Sequence, residues 1–115
     1  LFLGCFSLSE VDIHGLCTDN VTDMSAMFWG SRNITSIDMR GINTANVVNM
    51  KEMFFGCNNV QTIYVTDSFT TSKVTDSSKM FLGAIDIKGA ISYDDTKLDA
   101  AYANYTSGYF TYKEL

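Results

Sequence analysis

Apolar residues return along this chain in two interleaved rhythms. The first is a short alternation: Val11 and Ile13, then Ile37 and Met39, then Ile63 and Val65. Such alternation predicts short half-buried strands, because residues two apart share a face. The second rhythm is Val21, Met24, Met27 and Phe28, repeated as Val47, Met50, Met53 and Phe54. Spacing of i, i+3, i+6, i+7 predicts one face of a short helix. Asn20 and Asn46 stand where a side-chain oxygen can cap such a helix. Gly30, Gly56 and Gly83 follow its last residues, where a left-handed backbone favours glycine.

Both rhythms belong to one repeat. Leu1-Phe2-Leu3-Gly4-Cys5 returns as Met27-Phe28-Trp29-Gly30-Ser31, as Met53-Phe54-Phe55-Gly56-Cys57 and as Met80-Phe81-Leu82-Gly83-Ala84, at spacings of 26, 26 and 27 residues. An aliphatic follows each start at Leu8, Ile34, Val60 and Ile87, and a further apolar column runs Leu16, Ile42, Phe69. The units are 1–26, 27–52 and 53–79, with a fourth beginning at 80. A helix of about two turns is not stable alone in water and has to pack on its neighbour. The expected fold is therefore α/β: a right-handed solenoid of short helices and parallel strands, leucine-rich-repeat-like, with about 26 residues per turn of the coil. Phe2, Phe28, Phe54 and Phe81 are expected to stack into one aromatic ladder.

After Phe81-Leu82-Gly83 the repeat decays. Residues 85–115 are expected to form a β-rich cap, because the last unit of a solenoid would otherwise expose its core. Within it Gly89–Tyr93 takes the place of the fourth strand, Leu98–Tyr105 is a short helix or turn, and Gly108–Lys113 is a final strand. Five of the six tyrosines lie from Tyr93 to Tyr112, where a large apolar body with a polar tip suits a closing surface. The chain opens inside a repeat at Leu1-Phe2, so the first unit is expected to show an open edge through which two copies can dimerise.

These units resemble the BspA-like leucine-rich repeats of bacterial surface proteins. The likeness is carried by Met53-Phe54-Phe55-Gly56-Cys57, Ile37-Asp38-Met39 and Asn20-Val21-Thr22-Asp23-Met24. The tail resembles the closing segment of such arrays through Tyr93-Asp94-Asp95, Ala101-Tyr102-Ala103 and Gly108-Tyr109-Phe110-Thr111. Ser31 and Ala84 in place of cysteine, and Ser77 in place of the helix methionine, depart from the pattern. The resemblance implies an extracellular, cell-surface protein-interaction or adhesion module, with host or bacterial surface proteins or matrix as partners. The alternative is a structural spacer or stalk that presents other domains.

Composition narrows the chemistry. The chain has 115 residues, 46% hydrophobic and 18% charged, which is a globular balance for one domain. A net charge of −5 with eight Lys and Arg spread thinly excludes the basic patch of a nucleic-acid binder and argues against anionic membranes. No apolar run is long enough to cross a bilayer, and residues 1–16 lack the basic start of a signal peptide, with Glu10, Asp12 and His14 among them.

No cofactor, metal site or catalytic group is expected. Cys5 and Cys57 share a column two units apart, about 10 Å by strand spacing, beyond the roughly 7 Å a disulfide spans. They and Cys17 read as small buried hydrophobes. No CxxC or second histidine offers a zinc set. His14 has no serine or cysteine tied to it by a known spacing. Glu10, Asp12 and Asp38 are the available carboxylates for glycoside chemistry, but acids repeated down a sheet face are more often solvated. Asp94, Asp95 and Asp99 do not follow the EF-hand spacing, and Asp-rich turns are common on structural grounds. The surface that remains is the outer face of the sheet. Alternation sends Val11 and Ile13 inward, so Glu10, Asp12 and His14 point out. Ser36, Asp38 and Arg40 follow in the second unit and Thr62, Tyr64 and Thr66 in the third. Extended solenoid faces of this kind bind partners.

Overall fold

The computed structural model describes residues 9–115. Its centre is a four-stranded parallel sheet in the order β1 (Glu10–Asp12), β2 (Ser36–Asp38), β3 (Thr62–Val65), β4 (Thr111–Tyr112). Val11 pairs with Ile37 and Ile37 with Ile63, so the expected strand columns are in register. The inward residues Val11, Ile13, Ile37, Met39, Ile63 and Val65 are all buried. The rest of the described chain is turns and irregular segments, apart from one 3-10 turn at Ala100–Tyr102.

The expected helices do not form. Residues 21–30 and 47–56 are strings of tight turns, with φ of 54° at Ala26 and 55° at Glu52 interrupting any helical run. The reason lies in where the amides go. Met24, Ala26, Phe28 and Gly30 donate across to the carbonyls of Asn49, Lys51, Met53 and Phe55 at 2.8–2.9 Å. Met50, Glu52, Phe54 and Gly56 do the same to Asp76, Ser78, Met80 and Leu82. Intervening amides close local turns, as Phe55 N–H does on Glu52 at 3.2 Å. A short helix would keep those donors to itself. An equivalent neighbour in register satisfies them at every second residue, and a two-turn helix has little cooperativity with which to compete. The i, i+3, i+6, i+7 spacing marks the buried face in either geometry: Met24, Met27, Phe28, Val47, Met50, Met53 and Phe54 are all buried.

The capping assignments move accordingly. Asn46 reaches back to the Asp19 carbonyl at 2.7 Å instead of capping its own segment. Turn-closing side chains are those of Asp23, Asn49 and Asp76, which accept from the amides of Ser25, Lys51 and Ser78 at 2.8, 2.9 and 3.1 Å. These three also bridge from unit to unit.

Phe28, Phe54 and Phe81 stack as expected, with ring centroids 5.5 and 5.4 Å apart. Phe2, Leu8 and Cys5 lie outside the described residues. Cys57 is buried in the column of Ser31 and Ala84, and burial pushes its thiol up to about 12. Cys17 departs from expectation: it is exposed. Leu16, at 48% exposure, is likewise uncovered where its counterpart Ile42 is fully buried.

The cap closes the sheet with a different strand from the one expected. Gly89–Tyr93 does not take the fourth place; Lys88 and Ser92 form a local antiparallel bridge instead. The place goes to β4, with Thr111 beside Tyr64 and Tyr112 beside Val65. Phe110, just before it, meets Phe54, Phe69 and Phe81 edge-on at 6.0, 4.9 and 5.9 Å. Tyr109 packs on Phe81 at 4.9 Å and is fully buried. Its hydroxyl donates to the Lys97 carbonyl at 2.7 Å and accepts the Asp94 amide at 3.0 Å. The final strand is thus anchored by two aromatic residues inserted against the ladder, an anchor Gly89-Ala90-Ile91 lacks.

Candidate functional site

On the outer face of the sheet the strand residues expected there alternate with the buried ones. Pairing sets Glu10, Ser36 and Thr62 in one row and Asp12, Asp38, Tyr64 and Thr111 in the next. His14, Arg40 and Thr66 follow two residues on in each chain segment. Glu10, Asp12 and His14 are exposed; Ser36, Asp38, Arg40, Thr62, Tyr64 and Thr66 are half-buried.

Within that face each charged strand is closed on itself. Asp12 Oδ1 accepts the His14 amide at 3.1 Å and lies 2.5 Å from His14 Nδ1, and these bonds hold the Asp12 carboxyl below its usual range. One unit on, Asp38 grips Arg40 in the same i, i+2 geometry. Arg40 Nε lies 2.9 Å from Oδ1 and Nη2 lies 2.7 Å from Oδ2, a bidentate fork. Hydrogen bonds from Arg40 hold the Asp38 carboxyl down, and the carboxylate in turn raises the guanidinium. Both side chains are only 17% exposed. In the third unit Thr66 Oγ1 accepts the Gly41 amide at 2.9 Å.

Asp12, His14 and Asp38 place one ligand atom each within 4.8 Å of one another. One imidazole and two carboxylates suit a borderline divalent ion better than calcium or magnesium. Both oxygens of Asp38 are already engaged by Arg40. Asp94, Asp95 and Asp99 are not drawn together: Asp94 serves its own turn, accepting from the Thr96 amide and hydroxyl at 2.9 and 2.6 Å. Asp99 caps the 3-10 turn through the Ala101 amide at 3.0 Å.

Three residues at the site escape the repeat logic. Lys113 places its Nζ 4.9 Å from the centroid of the Tyr64 ring, and its amide donates to the Val65 carbonyl at 3.2 Å. The Glu114 carbonyl accepts from Arg40 Nη1 at 2.8 Å. The Leu115 methyls lie 3.4 Å from where a Cβ on Gly41 would sit. No repeat in the sequence signalled them, since their positions follow from the pairing of Thr111 with Tyr64.

The sequence matches one family profile over residues 1–112, that of DUF285, described as a Mycoplasma protein of unknown function. The chain belongs to that family. No curated protein and no solved structure matches it. Family membership therefore brings no assigned residue role to the sheet face, whose reading rests on its geometry. Among the described residues, no helix is long and apolar enough to cross a membrane.

Proposed function

We propose that this member of DUF285 is a tract of a repeat solenoid of the BspA-like leucine-rich type, displayed outside the cell, that binds other macromolecules through the outer face of its sheet. It performs no catalysis in this reading. The observation that carries it is the registered array of polar side chains on that face, Glu10/Ser36/Thr62 beside Asp12/Asp38/Tyr64. The side of a sheet turned away from its core is where such an array can meet a partner. Tyr64 and Arg40 are of the types that dominate binding energetics. The partners of this reading are host or bacterial surface proteins or matrix.

A test is binding of the purified chain to immobilised matrix proteins, mucins and bacterial cells, beside the triple variant Asp38→Ala/Arg40→Ala/Tyr64→Ala. Saturable binding lost in a folded variant supports the reading; binding that survives the triple change refutes it. The spacer reading is favoured by a separate observation, the mutual closure of Asp38 and Arg40. It predicts no saturable partner at all. Association of two copies belongs to the same proposal: Leu16, Val21, Met24 and Met27 line a concavity of about 320 Å³ at the first described unit. Sedimentation that stays monomeric at the highest soluble concentration would remove that element.

A further inference from the structure

The residues after β4 run along the sheet face and touch three of its features. Lys113 pairs with β3 through the Val65 carbonyl and lays its ammonium over the Tyr64 ring at 4.9 Å. The chain then passes to the neighbouring unit, where the Glu114 carbonyl receives Arg40 Nη1 at 2.8 Å. Leu115 comes to rest at Gly41, its methyls 3.4 Å from the position of an absent Cβ. Three consecutive residues thus use three different features of the face: an aromatic surface for a cation, a fixed guanidinium for a backbone carbonyl, and a bare glycine for an aliphatic side chain.

Each feature is held in place by the fold and not by the tail. Arg40 is fixed by its bidentate grip on Asp38, which leaves Nη1 free to donate outward. Gly41 has φ of 78°, a left-handed value that excludes most side chains, so the spot is kept bare by backbone geometry. Tyr64 is set by its pairing with Asp38 and Thr111. Glu10 and Asp12 are exposed on the same face and add negative potential, which favours a cationic ligand. Leu115 stays 75% exposed in this position.

We propose that Arg40, Gly41 and Tyr64 form a docking groove for an extended peptide segment of a partner protein, one bearing a lysine or arginine followed two residues later by an aliphatic side chain. Residues 113–115 are the groove's internal occupant and compete with that partner. The proposal rests on the reading of the sheet face as a binding surface, and adds to it the chemistry of the ligand. A tethered segment acts at an effective concentration on the order of millimolar, so it masks any ligand of weaker affinity.

The test is an NMR titration with the synthetic peptide Thr-Tyr-Lys-Glu-Leu. It is run against the unchanged chain and against Lys113→Glu/Leu115→Asp, which removes the side-chain contacts of residues 113–115 and leaves Arg40, Gly41 and Tyr64 unaltered. That variant is expected to bind at least about tenfold more tightly than the unchanged chain, with shifts centred on the Arg40 side chain, the Gly41 amide and the Tyr64 ring. A peptide with glutamate in place of lysine, or the added substitution Tyr64→Thr, is expected to abolish the shifts. Equal affinity for both chains, or shifts elsewhere on the surface, overturns the proposal. The outcome is separable from that of the panel experiment. Peptide binding as expected with no surface partner leaves the groove standing and removes the adhesive reading. A partner lost in the triple alanine variant, with no peptide binding, removes the groove alone.

Discussion

Repeats and cap hold themselves together by different means. In residues 9–84 almost every bond has a copy one unit away: Met24 to Asn49 is repeated by Met50 to Asp76, and Phe28 on Phe54 by Phe54 on Phe81. In stacked repeats, stability is approximately a sum of like terms between neighbours. From Gly89 onward the closing segment relies on fits with no counterpart in the units. Gly108 is buried with the Tyr102 carbonyl oxygen only 2.0 Å from where its Cβ would be, and Gly89 meets the Phe110 carbonyl in the same way at 2.4 Å. The repeat contacts come in copies between neighbouring units, whereas the closing segment rests on single close fits.

The largest expected effect comes from the middle of the ladder. Phe54→Ala removes a fully buried ring that stacks on both neighbours and supports Phe110 from the cap. A loss of about 3–5 kcal/mol is expected, the usual cost of emptying a buried phenylalanine site. Amide exchange should rise on both sides of the gap and in the cap together. Confinement of the increase to unit 53–79 would show that the units are less coupled than their stacking implies.

Next in size is a contrast between two glycines. Gly108→Ala drives a methyl into backbone that has no space for it, at a cost of about 3 kcal/mol, near the upper end for overpacking. Gly30→Ala meets nothing within 4 Å and is strained only by its φ of 71°, at a cost of about 1–2 kcal/mol. Chemical denaturation of both variants checks the order. Equal losses would mean that the cap yields as easily as a repeat turn, and would erase the distinction drawn above.

The same contrast explains what could be read from the chain. Strand columns such as Val11/Ile37/Ile63 and the ring ladder were legible because three copies fix one register. The backbone between strands was not. Met24, Met27 and Phe28 are buried on one face whether their amides bond within the segment or across to the next unit, and side-chain spacing is blind to that choice. The positive φ at Ala26, Glu52 and Lys79 carried no warning, since none of these residues is glycine or asparagine. In the cap nothing repeats, so the preference for Thr111–Tyr112 over Gly89–Tyr93 as fourth strand depended on where Tyr109 and Phe110 insert. At the candidate site the alternation of Glu10/Asp12, Ser36/Asp38 and Thr62/Tyr64 with buried residues was legible in the chain. The closure of Asp38 on Arg40 and the seat of residues 113–115 required the third dimension.

The smallest effect expected concerns acid. Asp38 is a half-buried carboxylate whose pKa is lowered in the folded chain, by hydrogen bonds from Arg40 first. A group depressed on folding contributes stability above its unfolded pKa of about 3.9, and that contribution is lost as pH falls through the folded value. Its counterpart Asp12 is also lowered, through His14, but is exposed and more fully screened. Asp38→Asn should therefore lower the unfolding midpoint at pH 7 and leave it nearly unchanged once both folded and unfolded carboxyls are protonated. The corresponding Asp12→Asn should show the same sign with a smaller amplitude. Thermal melts between pH 7 and pH 2 measure both. If Asp12→Asn proved the more costly, the half-buried arginine fork would not be the stronger of the two pairs, and the groove built on a fixed Arg40 would lose its rigid member.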